Sequence, residues 1–295
     1  MSAQEFDTAA GQWSMQMAAA PQYLSGHVAL FLETRGSVCY TLEKLIPDGH
    51  AIFMINLGPP QMVVEGGENG VSSNHVRAWL SGIHDRPLYT APVAGNGAFH
   101  THFIAASLTF SGVYSLFGIA ASEVANRVID AELLFGEKIR HLHDQMGELD
   151  TTPQRFALLA GFLQKISEKR SRPVHPGVLE AIEKTLHNPY DLRVSGLCQQ
   201  LDISRKHLNT VYRQNVGVSP KTFARLVRFH AIVDRLSRPH FGDWAGRAID
   251  AGYFDQAHMH RDFAQFAAEP PGAFMQQISD DGMSIVYDAE HNVLR

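Results

Sequence analysis

Residues 194–215 read VSGLCQQLDISRKHLNTVYRQN, and the spacing of their apolar members divides them into helix, turn and helix. Val194, Leu197, Cys198 and Leu201 recur three and four apart, the interval that puts side chains on one helical face. Asp202 and Ile203 form the turn, and Ser204 is placed to cap the next helix, its hydroxyl accepting from a free backbone N–H. In that second helix Leu208, Val211 and Tyr212 point inward, while Arg205, Lys206, Asn209, Thr210 and Arg213 are left outside. A helix with that outer face suits the major groove of DNA, where Arg and Lys match guanine edges and Asn matches adenine.

The pattern then repeats. Gly217 ends the helix, and Ser219 followed by Pro220 starts a longer one with Phe223, Leu226, Val227 and Ile232 apolar, the length of a connecting rod. In FGDWAGRAIDAGYFDQAHMHRDFAQF (241–266), Trp244, Ala245, Ala248 and Ile249 make a first short helix. Gly252 ends it as a left-handed residue and Asp255 caps the next. Met259, Phe263 and Phe266 face in; Gln256, Ala257, His260 and Arg261 face out. Gly246 weakens that first helix by roughly 1 kcal/mol relative to alanine. One such motif with a basic surface also describes an ordinary helical bundle. Two of them joined by a rod point to a nucleic-acid reader.

Charge follows the same division. Residues 1–184 carry a net −5, residues 185–277 a net +3 with six histidines, and residues 278–295 a net −3. The helical segment is the basic one, as a polyanion partner requires. Upstream, HVALFLET, AIFMINLG, QMVVEGG, RAWLSGI and FHTHFIAAS read as strands separated by turns, the pattern of a small sandwich or barrel. AASEVANRVIDAELLFGEKIRHLHDQM (120–146) and TPQRFALLAGFLQKI (152–166) read as amphipathic helices, the latter capped by Thr152 with Pro153 at its first position. SEKRSRPVHPG (167–177), charged and carrying two prolines, is the linker. MSAQEFDTAAGQW reads as a loosely packed leader without signal-peptide character, and the acidic tail is ambiguous. Two distant cysteines, Cys39 and Cys198, fit a reduced, cytoplasmic setting. No apolar run is long enough to span a membrane.

Residues about 178–277 resemble the DNA-binding module of AraC/XylS-type bacterial transcription regulators. The resemblance rests on LCQQLDISRKHLNTVYRQNVGVSPKTFARLVRF (197–229) and AIDAGYFDQAHMHRDFAQFAAEPPGAF (248–274), the second with Gly252, Phe254, Asp255, Gln256, His258, Arg261, Phe263 and Pro271 of the family signature. It departs where the usual glycine after the second reading helix gives way to FAAEPPGAF. PDGHAIFMINLG (47–58), WLSGIHDRPLY (79–89) and LFGIAASEVANRVIDAELLFG (116–136) are similar to a regulatory domain often found before this module. The resemblance implies two reading helices in successive major grooves on one face of the duplex, and an N-terminal part that regulates or dimerises the module.

The resulting expectation is an α+β chain. Residues 1–168 form a β-rich, cupin-like barrel or sandwich with helices, for sensing or dimerisation; 169–177 are a linker; 178–277 are all-α with two helix-turn-helix motifs joined by a linker helix; 278–295 are a tail. The candidate DNA-contacting residues are Ser204, Arg205, Lys206, Asn209, Thr210, Arg213, Gln256, Ala257, His260 and Arg261. Expected partners are double-stranded operator DNA, RNA polymerase, a small-molecule effector and a second copy of the chain, without a membrane, a cofactor, a metal or catalytic residues. The alternative is a cupin-like small-molecule enzyme or a DNA-repair protein carrying such a module. His100 and His102 share a strand face as a metal-binding H-x-H pair does, but no carboxylate follows within FIAASLTFSG. Alkylation repair needs a thiolate in a cysteine cluster, which two isolated cysteines cannot form. No triad or carboxylate pair stands out in residues 1–150.

Overall fold

A computed structural model describes residues 2–65, 70–93, 98–189, 194–236, 256–279 and 284–294. The first part is built on two antiparallel sheets. One has seven strands in the order β1 (Ser2–Thr8), β2 (Gly11–Ala19), β3 (Val28–Val38), β10 (Phe99–Leu108), β5 (Ile52–Asn56), β8 (Ala78–Ser81) and β11 (Val128–Asp130). The other has six, in the order β13 (Val293–Leu294), β12 (Ser284–Tyr287), β4 (Leu42–Leu45), β9 (Leu88–Pro92), β6 (Gln61–Glu65) and β7 (Val71–His75). The leader is therefore not loose: residues 2–19 form a hairpin whose second strand pairs with β3 in register, Met15 opposite Thr34.

Period-2 alternation gives the larger sheet two faces with different tasks. Phe31, Phe53, Ile55, Leu80, Ile104 and Ala106 point to one side and share a core with the helices that cover it. Those helices include α1 (Gly112–Phe117), α4 (Glu137–Gly147) and α5 (Thr152–Arg170). Leu32, Thr34, Met54, Trp79, Thr101 and Phe103, one position out of phase, line a cavity between the two sheets. Across the helix-covered face, Arg155 of α5 reaches Glu33 of β3 with Nη2 at 2.8 Å, and His102 Nε2 lies 2.8 Å from the same carboxylate oxygen. His102 is thereby committed to a buried ion-pair network, and His100 beside it is exposed.

Three further expectations change. The long helix over 120–146 is broken into α2 (Ala121–Val124), β11, α3 (Ala131–Phe135) and α4. Val128 and Ile129 complete the large sheet against β8, so tertiary pairing overrides the helical period; Asn126 at φ 57° lies at the break between α2 and β11, and Gly136 at φ 62° at the break between α3 and α4. The cap of α5 is Thr151 rather than Thr152, its backbone N–H donating to Gln154 Oε1 at 3.2 Å. Helix also runs further than expected into the linker: α5 ends at Arg170 and α6 (Pro176–His187) begins at Pro176, leaving residues 171–175 between them.

Beyond α6 come α7 (Val194–Gln200), α8 (Arg205–Val216), α9 (Pro220–Leu236), α10 (Gln256–Phe266) and α11 (Pro271–Gln277). Their core contains Val178, Leu208, Tyr212, Phe229, Phe263 and Phe274, together with Ile46 and Ile83 from the sheet region and Ile285 from β12. The chain then returns to where it began. β12 pairs antiparallel with β4, Val286 opposite Glu43, so the acidic tail supplies two strands of the smaller sheet.

Candidate nucleic-acid interface

The first motif folds as its sequence spacing directs. Val194, Cys198 and Leu201 pack on the helical core; the side chain of Leu197 lies outside the described residues. Asp202 takes φ 51°, a turn conformation that aspartate tolerates, and Ile203 N–H closes the turn on Cys198 O at 3.0 Å. Ser204 Oγ accepts from the His207 N–H at 3.1 Å and caps α8. Leu208 and Tyr212 are fully buried. Arg205, Lys206, Thr210 and Arg213 are exposed on one continuous surface, and no acidic residue occurs in the helix. Asn209 is half-buried at the edge of that surface, and the Thr210 hydroxyl donates back to Lys206 O at 3.0 Å. Burial raises the Tyr212 phenol well above its ordinary value, and its oxygen has no hydrogen-bond partner among the described residues.

α8 ends at Gly217, φ 103°, where a Cβ would come within 2.6 Å of Ile83 Cγ2. Glycine is needed there both for the left-handed turn and for the approach of the sheet region. Ser219 Oγ then accepts from Thr222 N–H at 3.1 Å and starts α9, whose Phe223, Leu226 and Phe229 are fully buried.

In the second motif the described residues begin at Gln256. Trp244, Ala245, Gly246, Ala248, Ile249, Gly252, Phe254 and Asp255, on which the first helix and the cap were read, lie outside them. Along α10, Met259, Phe263 and Phe266 are buried, and Gln256, Ala257, His260 and Arg261 are exposed. The helix is clamped to α9 by Asp262, fully buried, whose Oδ1 accepts from Arg225 Nε at 2.7 Å and Nη2 at 2.6 Å. The Arg225 guanidinium also lies 5.1 Å from the centre of the Phe266 ring. Arg225 and Asp262 organise the motif from behind the exposed face.

The unusual exit of the second motif has a structural account. Ala267 N–H bonds Phe263 O at 2.8 Å, and Ala268 takes φ 54°, doing with a methyl group what glycine does at most helix ends. Glu269 follows and meets Lys44 of β4 at 3.2 Å, the lysine side chain being 2% exposed. Gln265 Nε2 donates to Asp85 O at 3.2 Å. The sequence patterns held no sign of these contacts, because one partner of each lies in the other half of the chain. The alanine in place of the family's glycine is the one signal that marked the spot.

Comparison with known proteins agrees with this geometry. Residues 197–277 match the family model of a helix-turn-helix domain, so the chain carries a DNA-binding module of the AraC type. No curated protein matches the chain in sequence. Among solved structures it is similar to ToxT from Vibrio cholerae at 12% identity and TM-score 0.47, covering 83% of this chain and 98% of ToxT. A ToxT described as bound to an unsaturated fatty acid gives 12% and 0.47 over 83% of this chain and 94% of that one. The oxalate decarboxylase of Lactobacillus farciminis gives 12% and 0.25 over 36% and 30%. Likenesses at this level carry no conclusion about activity or ligand.

Proposed function

We propose that the chain is a sequence-specific transcription regulator in which α8 and α10 read successive major grooves and the two-sheet domain modulates their use. The observation that supports this most is the pair of exposed helix faces, Arg205, Lys206, Thr210 and Arg213 on α8 and Gln256, His260 and Arg261 on α10, held behind by buried apolar cores in one helix-turn-helix domain. Asn209 reads from the edge of the first face, Ala257 offers a methyl contact from the second, and Ser204 sets the α8 N-terminus toward the backbone phosphates. The cavity between the sheets, about 450 Å³, is of the size and mainly apolar character of small-molecule sites and serves as the effector site. A second copy of the chain would double the DNA contacts through effective concentration, and RNA polymerase is the downstream partner of such a regulator. The reduced state of Cys39 and Cys198 suits a cytoplasmic location, and among the described residues no helix is long and apolar enough to cross a membrane. Regulation is favoured over enzymatic repair because the cysteines lie in different parts of the fold, Cys39 beside Ala9 and Cys198 on α7.

Binding-site selection with the full chain tests this. Asn209→Ala should relax preference at one operator position at a cost of about 1–3 kcal/mol. Arg261→Ala should relax a different position and leave the others ranked as before. Equal weakening across all operator variants, with the salt slope reduced by about one unit, would instead make Arg261 a phosphate contact. Selection that enriches no sequence rejects the proposal.

A further inference from the structure

The smaller sheet is a single layer of strands whose two faces meet different parts of the molecule. Leu45 of β4, Ser284 and Val286 of β12 and Leu294 of β13 line the cavity between the sheets. The pleat turns their neighbours along the strands the other way. Lys44 and Ile285, opposite one another in register, lie on that outer face. Ile285 is fully buried in the apolar core that also holds Phe263 and Phe266 of α10 and Phe274 of α11. Ile46, just beyond β4, belongs to the same core. Lys44 meets Glu269, in the turn between α10 and α11, at 3.2 Å. The outer face of β4 and β12 is therefore part of the seat of the second reading helix.

The chain reaches β12 from that same helix. It turns at Ala268, passes Glu269 and runs through α11, where Ile278 N–H donates to Phe274 O at 2.9 Å. Ser279 N–H then donates to Ser284 O at 2.9 Å and ties the exit of α11 to the first residue of β12. β4 fixes the strand, with Ser284 opposite Leu45 and Tyr287 opposite Leu42. α10 is thus held from two sides, by Arg225 of α9 through Asp262 and by β4 through Glu269 and β12. The first reading helix is tied to the sheet region by other elements. α8 packs against α1 and α2, and Gly217 at its end approaches Ile83. Ile285 lies beyond residue 277, where the match to the helix-turn-helix family ends.

We propose that the C-terminal strand β12 positions the second reading helix, with Ile285 as its positioning residue. α10 presents Gln256, His260 and Arg261 at the angle DNA requires only while β12 is seated on β4. The proposal rests on the reading of α10 as a DNA-contacting helix, and it adds what sets that helix in place. Two reading helices that enter successive grooves must keep a separation of about 34 Å, and hydrogen bonds to a base edge tolerate little displacement. Fastening α8 and α10 to one sheet region through separate contacts supplies that fixed relation. The tail, outside the DNA-binding domain in sequence, is then a working part of it.

Two neighbouring substitutions in the full chain test it: Ile285→Ala on the outer face of β12 and Val286→Ala on the cavity face. In Ile285→Ala the backbone amides of α10 and α11 should exchange hydrogen about tenfold or more faster than in the parent chain, as an emptied core position implies. Those of α8 should keep the parental rate. Val286→Ala should leave all three helices at parental rates. In binding-site selection Ile285→Ala should lose preference over one block of operator positions and keep it over the block read by α8, which Asn209→Ala marks. Ile285→Val, which removes one methyl group, should give the same pattern at smaller size, so the test stands even if the alanine chain does not fold. Equal acceleration of α8 and α10, equal effects of the two alanine substitutions, or uniform weakening at all operator positions would overturn the proposal. Faster exchange in α10 with an unchanged selection profile would overturn it as well. Selection that enriches no sequence even with the parent chain rejects the DNA-reading role itself, an outcome distinct from a normal parental profile that Ile285→Ala leaves intact.

Discussion

Ala268 shows how a single backbone angle carries a cost. A left-handed conformation costs an L-residue with a Cβ about 1–2 kcal/mol, and the residue sits there because the chain must turn from α10 toward Lys44. Ala268→Gly should therefore raise the stability of the full chain by about 1 kcal/mol in a urea titration, after the extra unfolded-state entropy of glycine is subtracted. A lower midpoint would mean that the methyl group packs usefully. Glu33 shows the opposite case, a residue made stable by its partners. Burial alone would raise its carboxyl, but hydrogen bonds from His102, Arg155 and Thr152 and the Arg155 charge outweigh it and hold the group at about 2. The folded value is below the unfolded one, so the contribution is complete above pH 4.5 and is lost as pH falls from there toward about 2. Glu33→Gln should cost about 3–5 kcal/mol at neutral pH, because it leaves the buried Arg155 without its carboxylate, and should flatten the acid limb of the stability profile.

Among the elements, α10 depends on one contact more than on its own helical propensity. An eleven-residue helix is marginal by itself. What holds it is the apolar stripe Met259, Phe263 and Phe266 together with the Asp262–Arg225 clamp to α9. Asp262→Ala should cost about 3–5 kcal/mol by stranding a largely buried guanidinium, with loss of specific DNA binding as the second motif loosens. Phe263→Ala and Leu208→Ala should each cost roughly 2–5 kcal/mol. Thr210→Ala on the exposed face of α8 should stay within about 0.5 kcal/mol of the parent chain. Melting curves of the four variants separate core from surface. If Leu208→Ala melts with the parent chain, the facing of α8 is wrong.

At the scale of the molecule, the helical core and the sheet region are not independent. Ile46, Ile83 and Ile285 share a core with the reading helices, and Phe110 meets Phe223 of α9 edge-on at 4.9 Å. His84 sits next to this junction, between Ile83 and Asp85, its Nε2 2.9 Å from Ser81 Oγ. Burial pushes its pKa down from 6.5 to about 4, with Asp85 and Asp48 opposing and Arg86 assisting. Between those values the unfolded chain binds a proton that the folded chain refuses, so stability rises with pH across the window and is lost as pH falls from 6.5 to about 4. Unfolding midpoints between pH 7 and 4.5 should therefore decline, and the decline should be shallower in His84→Gln. The Glu33 window begins near the lower end of this one, which keeps the two effects apart. Equal slopes in both chains would remove His84 as the source.

The sequence alone determined the helix-turn-helix character of the second half. Helical period, the cap at Ser204, the stop at Gly217 and the burial of Leu208, Tyr212, Met259 and Phe263 are local properties, set by residues three and four apart. It also marked β3, β5, β6, β8 and β10, whose apolar runs between turns are visible within one segment. Only tertiary structure decided the rest, because the deciding partners are distant along the chain. Val286 pairs with Glu43 in the smaller sheet, residues 2–19 become a hairpin whose second strand pairs with β3, and Val128 leaves a helical pattern to pair with β8. Glu43 and Lys44 are adjacent in sequence, and pleating sends one into the cavity and the other to Glu269. No pattern in their own neighbourhood distinguishes the two, since which face of a strand becomes an interior is settled by what packs against it.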